Sequence, residues 1–237
     1  MPSEPPTADW EQVLTAAAHL QRILPDAVLV GGTAAAIHVG HRLSTDADHV
    51  VTDLRQRFDA VLGDLESVAG WTTARVKRPV LILGSLDGIE TGIRQLIRNA
   101  PLETSSVAVP GGMITLPTEA EMLRIKAVLI LKRNATRDYL DFVALADHLG
   151  PAAVAAALKS FDALYPQPNG QSALQQLVVQ LSPPIPYDLA ETELSNYKNL
   201  SPRWQDWNAI KGVAIATAAV IFDDVMVAAR SSVSEAP

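Results

Sequence analysis

The hydrophobic positions of the first half of the chain alternate between helical and strand spacing. Residues 9–23 carry apolar side chains every three or four positions, which predicts a helix that ends at Pro25. The short apolar run 27–30 predicts a buried strand, because Gly31 and Gly32 stop it at once. The pattern then predicts helices at 33–40 and 54–69, strands at 48–52, 71–77, 79–84, 88–94 and 105–109, and an edge strand or linker at 111–117.

From Thr118 onward the apolar spacing becomes helical and stays helical. Thr118 followed by Glu121 is typical of a capping box at the start of a helix. Helices are expected at 118–133, 136–149, 151–161 and about 203–230. The predicted fold class is α/β (α+β), with an α/β unit at 8–117 and a helical unit at 118–230.

Composition limits the classes of function. The 237 residues are 48% hydrophobic and 19% charged, which indicates a folded globular chain, and there is no cysteine for a disulfide or a thiolate metal site. The net charge of −7 argues against strong nonspecific binding to nucleic acid. No signal peptide is recognised, and the apolar stretch 212–222 is shorter than the roughly 20 residues that cross a bilayer. We therefore expect a cytoplasmic protein without a membrane partner.

Glycines and paired aspartates between residues 29 and 50 point to phosphate and metal chemistry. Gly31–Gly32 lets the backbone approach an anion closely, and the helix that follows directs its free N–H groups at it. Asp46 and Asp48 share one face of an extended segment, where two carboxylates suit Mg²⁺ bound together with substrate phosphates. Arg42 and Ser44 lie close enough in the chain to contact the same phosphates.

The stretch VGGTAAAIHVGHRLSTDADHVV (30–51) resembles the first motif of the nucleotidyltransferase superfamily, and HRLSTDAD within it is similar to the AbiEii/AbiGii toxin-like family. The resemblance implies a small mixed-sheet nucleotidyltransferase domain, followed by a helical C-terminal domain that completes the active-site cleft. It also implies that Asp46 and Asp48 bind Mg²⁺ and the incoming nucleoside triphosphate. The phosphates are then contacted from the side formed by Gly31, Gly32, Thr33 and Ser44.

A second group of charged residues lies further along the chain. Lys126 is expected on the polar side of its helix, and Arg137, Asp138 and Asp141 are spaced to share one face of the next helix. From the residues alone, a surface salt-bridge cluster is an equally good interpretation. KAVL (126–129) and RDYLD (137–141) match later motifs of the toxin-like family. That resemblance implies that Lys126 contacts nucleotide phosphates, that Arg137 belongs to the nucleotide-binding set, and that Asp138 or Asp141 orients the lysine or the substrate.

The superfamily usually places a third carboxylate on a later strand, facing the first two. In this chain the expected position falls near Gly92, within the predicted strand 88–94. Glu90 lies two residues earlier, hence on the same face, and is our candidate for a third metal ligand.

The predicted function is therefore a Mg²⁺-dependent nucleotidyltransferase that uses one or two ions and moves NMP from an NTP to an acceptor. The toxin-like resemblance implies tRNA as the acceptor and a separately encoded antitoxin as the partner. Two alternatives stay open: a small-molecule nucleotidyltransferase similar to the antibiotic-modifying enzymes, and a degenerate protein that binds nucleotide or a partner protein without turnover.

Overall fold

The computed structural model describes residues 7–168 and 170–234, with side chains over 9–168 and 170–224. The chain forms two compact units that divide between Thr118 and Glu119. The helices of the first unit are α1 Thr7–Ile23, α2 Gly31–Val39 and α3 Leu54–Glu66. Its strands are β1 Val28–Leu29, β2 Asp46–Val51, β3 Trp71–Lys77, β4 Leu81–Leu86, β5 Ile89–Gln95, β6 Thr104–Val109 and β7 Gly112–Pro117.

The first unit is built on a mixed five-stranded sheet with the order β1-β2-β5-β4-β3. Strands β2 and β5 run parallel, while the other neighbouring pairs are antiparallel. Strands β6 and β7 form a separate two-stranded sheet, so residues 112–117 are a strand rather than a linker. These findings confirm the predicted α/β (α+β) class with a mixed sheet.

One face of the large sheet is covered by the core of this unit. Val51, Ile82 and Ile93 point from β2, β4 and β5 into a cluster that contains Leu20 of α1 and Leu54 of α3, and all five are fully or almost fully buried. Side chains alternate between the two faces of a strand, so the neighbouring positions lie on the opposite face. That opposite face carries Asp46 and Asp48, which are both partly exposed.

The second unit is helical. Its helices are α4 Glu119–Arg133, α5 Thr136–Leu149, α6 Pro151–Leu158, α7 Phe161–Leu164, α8 Ala173–Leu181 and α9 Trp207–Ser234, with 3₁₀ turns at Leu189–Glu191, Leu194–Asn196 and Pro202–Gln205. The expected long last helix is present as α9. The residues expected to form its first turn form the separate 3₁₀ turn Pro202–Gln205 instead. Large aromatic side chains, Tyr139, Phe142 and Phe161, are fully buried in this unit.

Sequence reasoning missed helix α8. Ala173, Leu177 and Leu181 are buried at spacings of four, and the Ser172 hydroxyl accepts a hydrogen bond of 3.0 Å from the Gln175 amide, which caps the helix. The signal was therefore present, but proline and glycine on both sides favoured a loop.

No single helix within the described residues is long and apolar enough to cross a membrane. Helices α5 and α6 meet the criteria of length and composition only when taken together, and they are bent by 117° with respect to each other.

Candidate active site

The site is built on the face of the sheet that α1 and α3 leave uncovered. On β2, Asp46 and Asp48 alternate with the buried Ala47 and His49, so both carboxylates lie on this face. The parallel register places Asp46 beside Glu90 of β5, and Asp48 beside Gly92. The spacing of two residues, recognised in the sequence, thus brings two carboxylates together next to the neighbouring strand.

Helix α2 begins directly beside these aspartates. Gly31 has a φ of +79°, which is the left-handed region that favours glycine, and a Cβ there would lie 3.6 Å from the Asp48 Cβ. A Cβ on Gly32 would lie 2.5 Å from Nη2 of Arg42 and 2.8 Å from Oγ of Ser44. The two glycines therefore let the start of the helix approach the guanidinium and the hydroxyl closely.

The N-terminus of α2 has amide groups to offer to an anion. Among the described residues no side chain caps the helix, since Val30 at the N-cap is extended and apolar. The first N–H groups of an α-helix have no acceptor within the helix, and the helix dipole adds a positive partial charge there. A phosphate is a good ligand for such an N-terminus.

Short hydrogen bonds tie the predicted phosphate-contacting residues to β2. The Ser44 hydroxyl donates to Oδ1 of Asp46 at 2.5 Å, and the Thr33 hydroxyl donates to the carbonyl oxygen of the same aspartate. Thr33, Arg42 and Ser44 are buried, with 1%, 7% and 8% of their surface exposed. The structure therefore brings together Gly31, Gly32, Thr33, Arg42, Ser44, Asp46 and Asp48, and their roles in binding nucleotide stay predictions.

The opposite face of β2 is held rigidly by two residues that sequence reasoning did not select. Nδ1 of His49 donates to the carbonyl oxygen of Ala47 at 2.9 Å, and the Thr91 hydroxyl donates to the same oxygen. His49 is completely buried, and burial lowers the pKa of its imidazole to about 4, against a smaller opposing effect of the hydrogen bond. The sequence contained a signal for His49, because the alternation of side chains along β2 places His49 on the face opposite Asp48.

A cation lies two residues beyond Gly92, the position where a third carboxylate is expected. Nη2 of Arg94 is 3.7 Å from Oδ2 of Asp48, and the side chain of Arg94 is 45% exposed. Glu90 is exposed and faces Asp46 in register. Over the described part of the chain, no group of three or more His, Asp or Glu side chains is close enough to hold a metal ion.

The two aspartates nevertheless suit a hard cation. Mg²⁺ is commonly held by one or two carboxylates and completes its octahedral shell with substrate phosphates and water. Asp46 and Asp48 would supply such carboxylates, and the N-terminus of α2 lies beside them. The role of Glu90 as a metal ligand stays a prediction.

The second group of predicted site residues forms a buried ion cluster in the helical unit. Nζ of Lys126 lies 2.6 Å from Oδ2 of Asp141 and 3.8 Å from Oδ1 of Asp138. Arg133 donates to Oδ1 of Asp138 at 2.9 Å. The side chains of Lys126, Asp138 and Asp141 are 3%, 0% and 0% exposed.

One expectation about this group is corrected, because Lys126 is buried and does not lie on a polar helix face. Arg137, Asp138 and Asp141 have the predicted helical spacing on α5, but Arg137 is exposed whereas both aspartates are buried. The reason is that α5 is buried over most of its circumference, including Leu140, which leaves no separate polar face for the aspartates. The predicted contacts of Lys126 and Arg137 with nucleotide stay predictions.

Comparison with known proteins shows that the chain is similar in fold to one group of proteins and similar in sequence to another. No family model matches the chain. A candidate nucleotidyltransferase from Helicobacter pylori has the same fold, with a TM-score of 0.51, 16% identity, and coverage of 92% of this chain and 98% of that one. In sequence, the chain is 33% identical over 219 residues to the heme uptake protein MmpL11 of Mycobacterium tuberculosis, covering 79% of this chain and 20% of the relative.

A second relative is the mycolic acid-containing lipids exporter MmpL11 of Mycolicibacterium smegmatis, with 31% identity over 130 residues, 54% of this chain and 13% of the relative. The chain therefore spans about a fifth, or less, of the length of the curated relatives that it matches. The fold of the chain is that of nucleotidyltransferase-like proteins.

Proposed function

We propose that this chain is a nucleotidyltransferase that moves NMP from an NTP to an acceptor. The observation that carries the proposal is the convergence of three features on one face of the first unit. The uncapped N-terminus of α2, the Arg42–Ser44 segment and the paired carboxylates of Asp46 and Asp48 all meet there. Anion-binding groups beside paired carboxylates are what a metal–triphosphate complex requires.

The protein groups have separate tasks in this proposal. The first amides of α2, with Arg42 and Ser44, bind the triphosphate, while Asp46 and Asp48 hold Mg²⁺ against it. The ion, when bound, neutralises charge on the transferring phosphoryl group. The acceptor oxygen forms a bond to the α-phosphorus, the bond to the bridging oxygen breaks, pyrophosphate leaves and the acceptor proton passes to solvent. Positioning and charge neutralisation account for most of the catalysis of such transfers.

The finer proposal is that tRNA is the acceptor and that the chain is a toxin controlled by an antitoxin. Resemblance to the toxin-like family supports it, and so does the charge on the sheet. Arg75 and Lys77 of β3 are exposed, and they pair in register with Leu83 and Leu81 of β4. Those leucines pair in turn with Gly92 and Arg94, so both cations lie on the face of Asp48. A polyanionic acceptor has complementary charge there.

A binding protein without turnover is the second candidate, and the sequence relatives favour it. Those relatives are named as transport proteins rather than transferases, and the chain matches only a small part of each. In this alternative the same site binds nucleotide, or the unit binds a partner protein, and no phosphoryl group moves. A small-molecule acceptor is the third candidate, and it differs from the leading proposal only in the acceptor.

Labelled nucleotide transfer separates these candidates. The protein is incubated with Mg²⁺, each α-labelled NTP and total tRNA, beside the Asp46→Ala/Asp48→Ala variant. Label that enters RNA with the wild type and not with the variant supports the leading proposal. Nucleotide that is consumed only when an aminoglycoside replaces tRNA favours the small-molecule enzyme. Binding of Mg–NTP without release of pyrophosphate from the NTP in the presence of any acceptor contradicts transfer and favours the binding protein.

A further inference from the structure

The strand position beside Asp48 holds a glycine rather than a third carboxylate. Gly92 is the register partner of Asp48, and a Cβ on it would lie 2.7 Å from Oδ1 of Asp48 and 2.8 Å from Cδ2 of Leu83. Real Cβ atoms essentially never come within 3.0 Å of such neighbours. An aspartate at position 92 would thus have to push the Asp48 carboxylate away from its present place.

The next residue on that face is a cation. Arg94 follows Gly92 by two positions on β5, so the two residues point the same way. Nη2 of its guanidinium is 3.7 Å from Oδ2 of Asp48, and the Arg94 side chain as a whole is 45% exposed, so the residue is accessible to a ligand while it is held near the carboxylate. A guanidinium carries five N–H donors and a charge that does not titrate in proteins.

We propose that Arg94 binds a phosphate oxygen of the nucleotide beside Asp48, in the place where a third carboxylate would recruit a second metal ion. The site then works with one divalent ion, and Arg94 supplies the remaining positive charge. This inference rests on the proposed nucleotide site, but it does not require transfer to occur. It makes Arg94 a nucleotide-binding residue of a one-metal site.

The electrostatic balance of the face agrees with this assignment. Asp46 and Asp48 carry two negative charges and Arg42 and Arg94 carry two positive ones, so the phosphates of an NTP can be shared between one dication and the arginines. Arg94 pairs in register with Leu81, and Leu81 pairs with Lys77, so the positive charge extends across the strands of the sheet. Glu90 lies in the other direction, beside Asp46.

Binding experiments test the proposal without any measurement of activity. A non-hydrolysable NTP analogue is titrated into the protein, once in EDTA and once in Mn²⁺, and bound Mn²⁺ per nucleotide is counted by electron paramagnetic resonance. The proteins compared are the wild type, Arg94→Ala, Arg94→Lys and the control Arg55→Ala. Arg55 is an exposed arginine on α3, the helix that packs on the opposite face of the sheet.

We expect one Mn²⁺ per nucleotide in the wild type and measurable binding in EDTA. Arg94→Ala should weaken binding in EDTA by about tenfold or more, because a charge-assisted hydrogen bond is lost. Arg94→Lys should restore part of the affinity, since it keeps the charge but not the planar fork of donors. Arg55→Ala should bind as the wild type does.

Two results would overturn the inference. Two Mn²⁺ ions per nucleotide in the wild type, or equal affinities of Arg94→Ala and Arg55→Ala in EDTA, would show that Arg94 does not replace a metal ligand, while the nucleotide site itself would stand. Absence of nucleotide binding in both EDTA and Mn²⁺ would overturn the inference together with the proposed function. The two failures are therefore distinguishable.

Discussion

Two clusters of charged side chains in this chain have similar composition and very different surroundings. Asp46 and Asp48 lie on the sheet face of the first unit that is opposite its core, and the Asp48 side chain is 27% exposed. Asp138 and Asp141 lie inside the second unit, where Lys126 is 2.6 Å from Asp141 and Arg133 is 2.9 Å from Asp138. The sequence predicted catalytic roles for all of these residues.

Exposure separates the two clusters. A carboxylate that water can reach is able to exchange its partner for a metal ion or a ligand, whereas a buried ion pair is a fixed part of the core. The first cluster is thus suited to binding, and we infer that the second stabilises the helical unit. The following predictions test this contrast, from the largest expected effect to the smallest.

Replacement of Lys126 by Met should destabilise the protein by about 3–5 kcal/mol, because it removes the cation that lies 2.6 Å from the buried carboxylate of Asp141. Denaturant unfolding followed by circular dichroism measures the change. Lys132→Met on the same helix is the matched control, since Lys132 is exposed and its replacement should stay within about 0.5 kcal/mol. Equal stabilities of the two variants would contradict a structural role for the buried cluster.

His49 lies on the opposite face of β2 from the first cluster, and it should make the stability of the protein depend on pH. Its pKa is about 4 in the folded protein, against an ordinary histidine pKa of about 6.5, so between these values the unfolded chain binds a proton that the folded protein does not. Stability should therefore fall as the pH is lowered from 6.5 to 4, by up to about 3 kcal/mol.

The His49→Leu variant should lose that part of the pH dependence, whereas His148→Leu should keep it, because His148 is exposed. Free energies of unfolding at several pH values between 4 and 7 provide the comparison. If His49→Leu and the wild type have the same slope, burial of His49 does not set the pH dependence.

Asp48→Asn should separate function from stability in the first cluster. Nucleotide transfer should fall about 100-fold or more, since an amide holds Mg²⁺ poorly. The free energy of unfolding should change by less than about 1 kcal/mol, because the ion pair with Arg94 is partly exposed. A large loss of stability with unchanged transfer would reverse our interpretation of the two clusters.

Ser44→Ala should have the smallest effect. It removes the hydrogen bond from Ser44 to Asp46, and we expect a loss of about 1 kcal/mol in stability. The affinity for Mg–NTP should fall as well, because the carboxylate loses the group that orients it. Calorimetric titration with a non-hydrolysable analogue measures this affinity, and Ser105→Ala on β6 is a control at an exposed serine.

Local patterns in the sequence were enough to predict most of the elements. Period-two alternation identified β2, and helical spacing identified α4 and α5, because these periods follow from backbone geometry. Helix α8 was missed, since proline and glycine near its ends outweighed its three buried positions. Arg94 was also missed, although its place two residues after Gly92 on a predicted strand put it on the face of the aspartates.

The sequence by itself determined which chemistry is available: two glycines before a helix, two aspartates on one strand face, and a lysine with two aspartates at helical spacing. Only the tertiary structure decided which of these groups can meet a ligand. Residue type and spacing specify the face of an element, but burial depends on what packs against that face from distant parts of the chain. For this reason Asp48 lies open beside Arg94, while Asp141 is enclosed with Lys126.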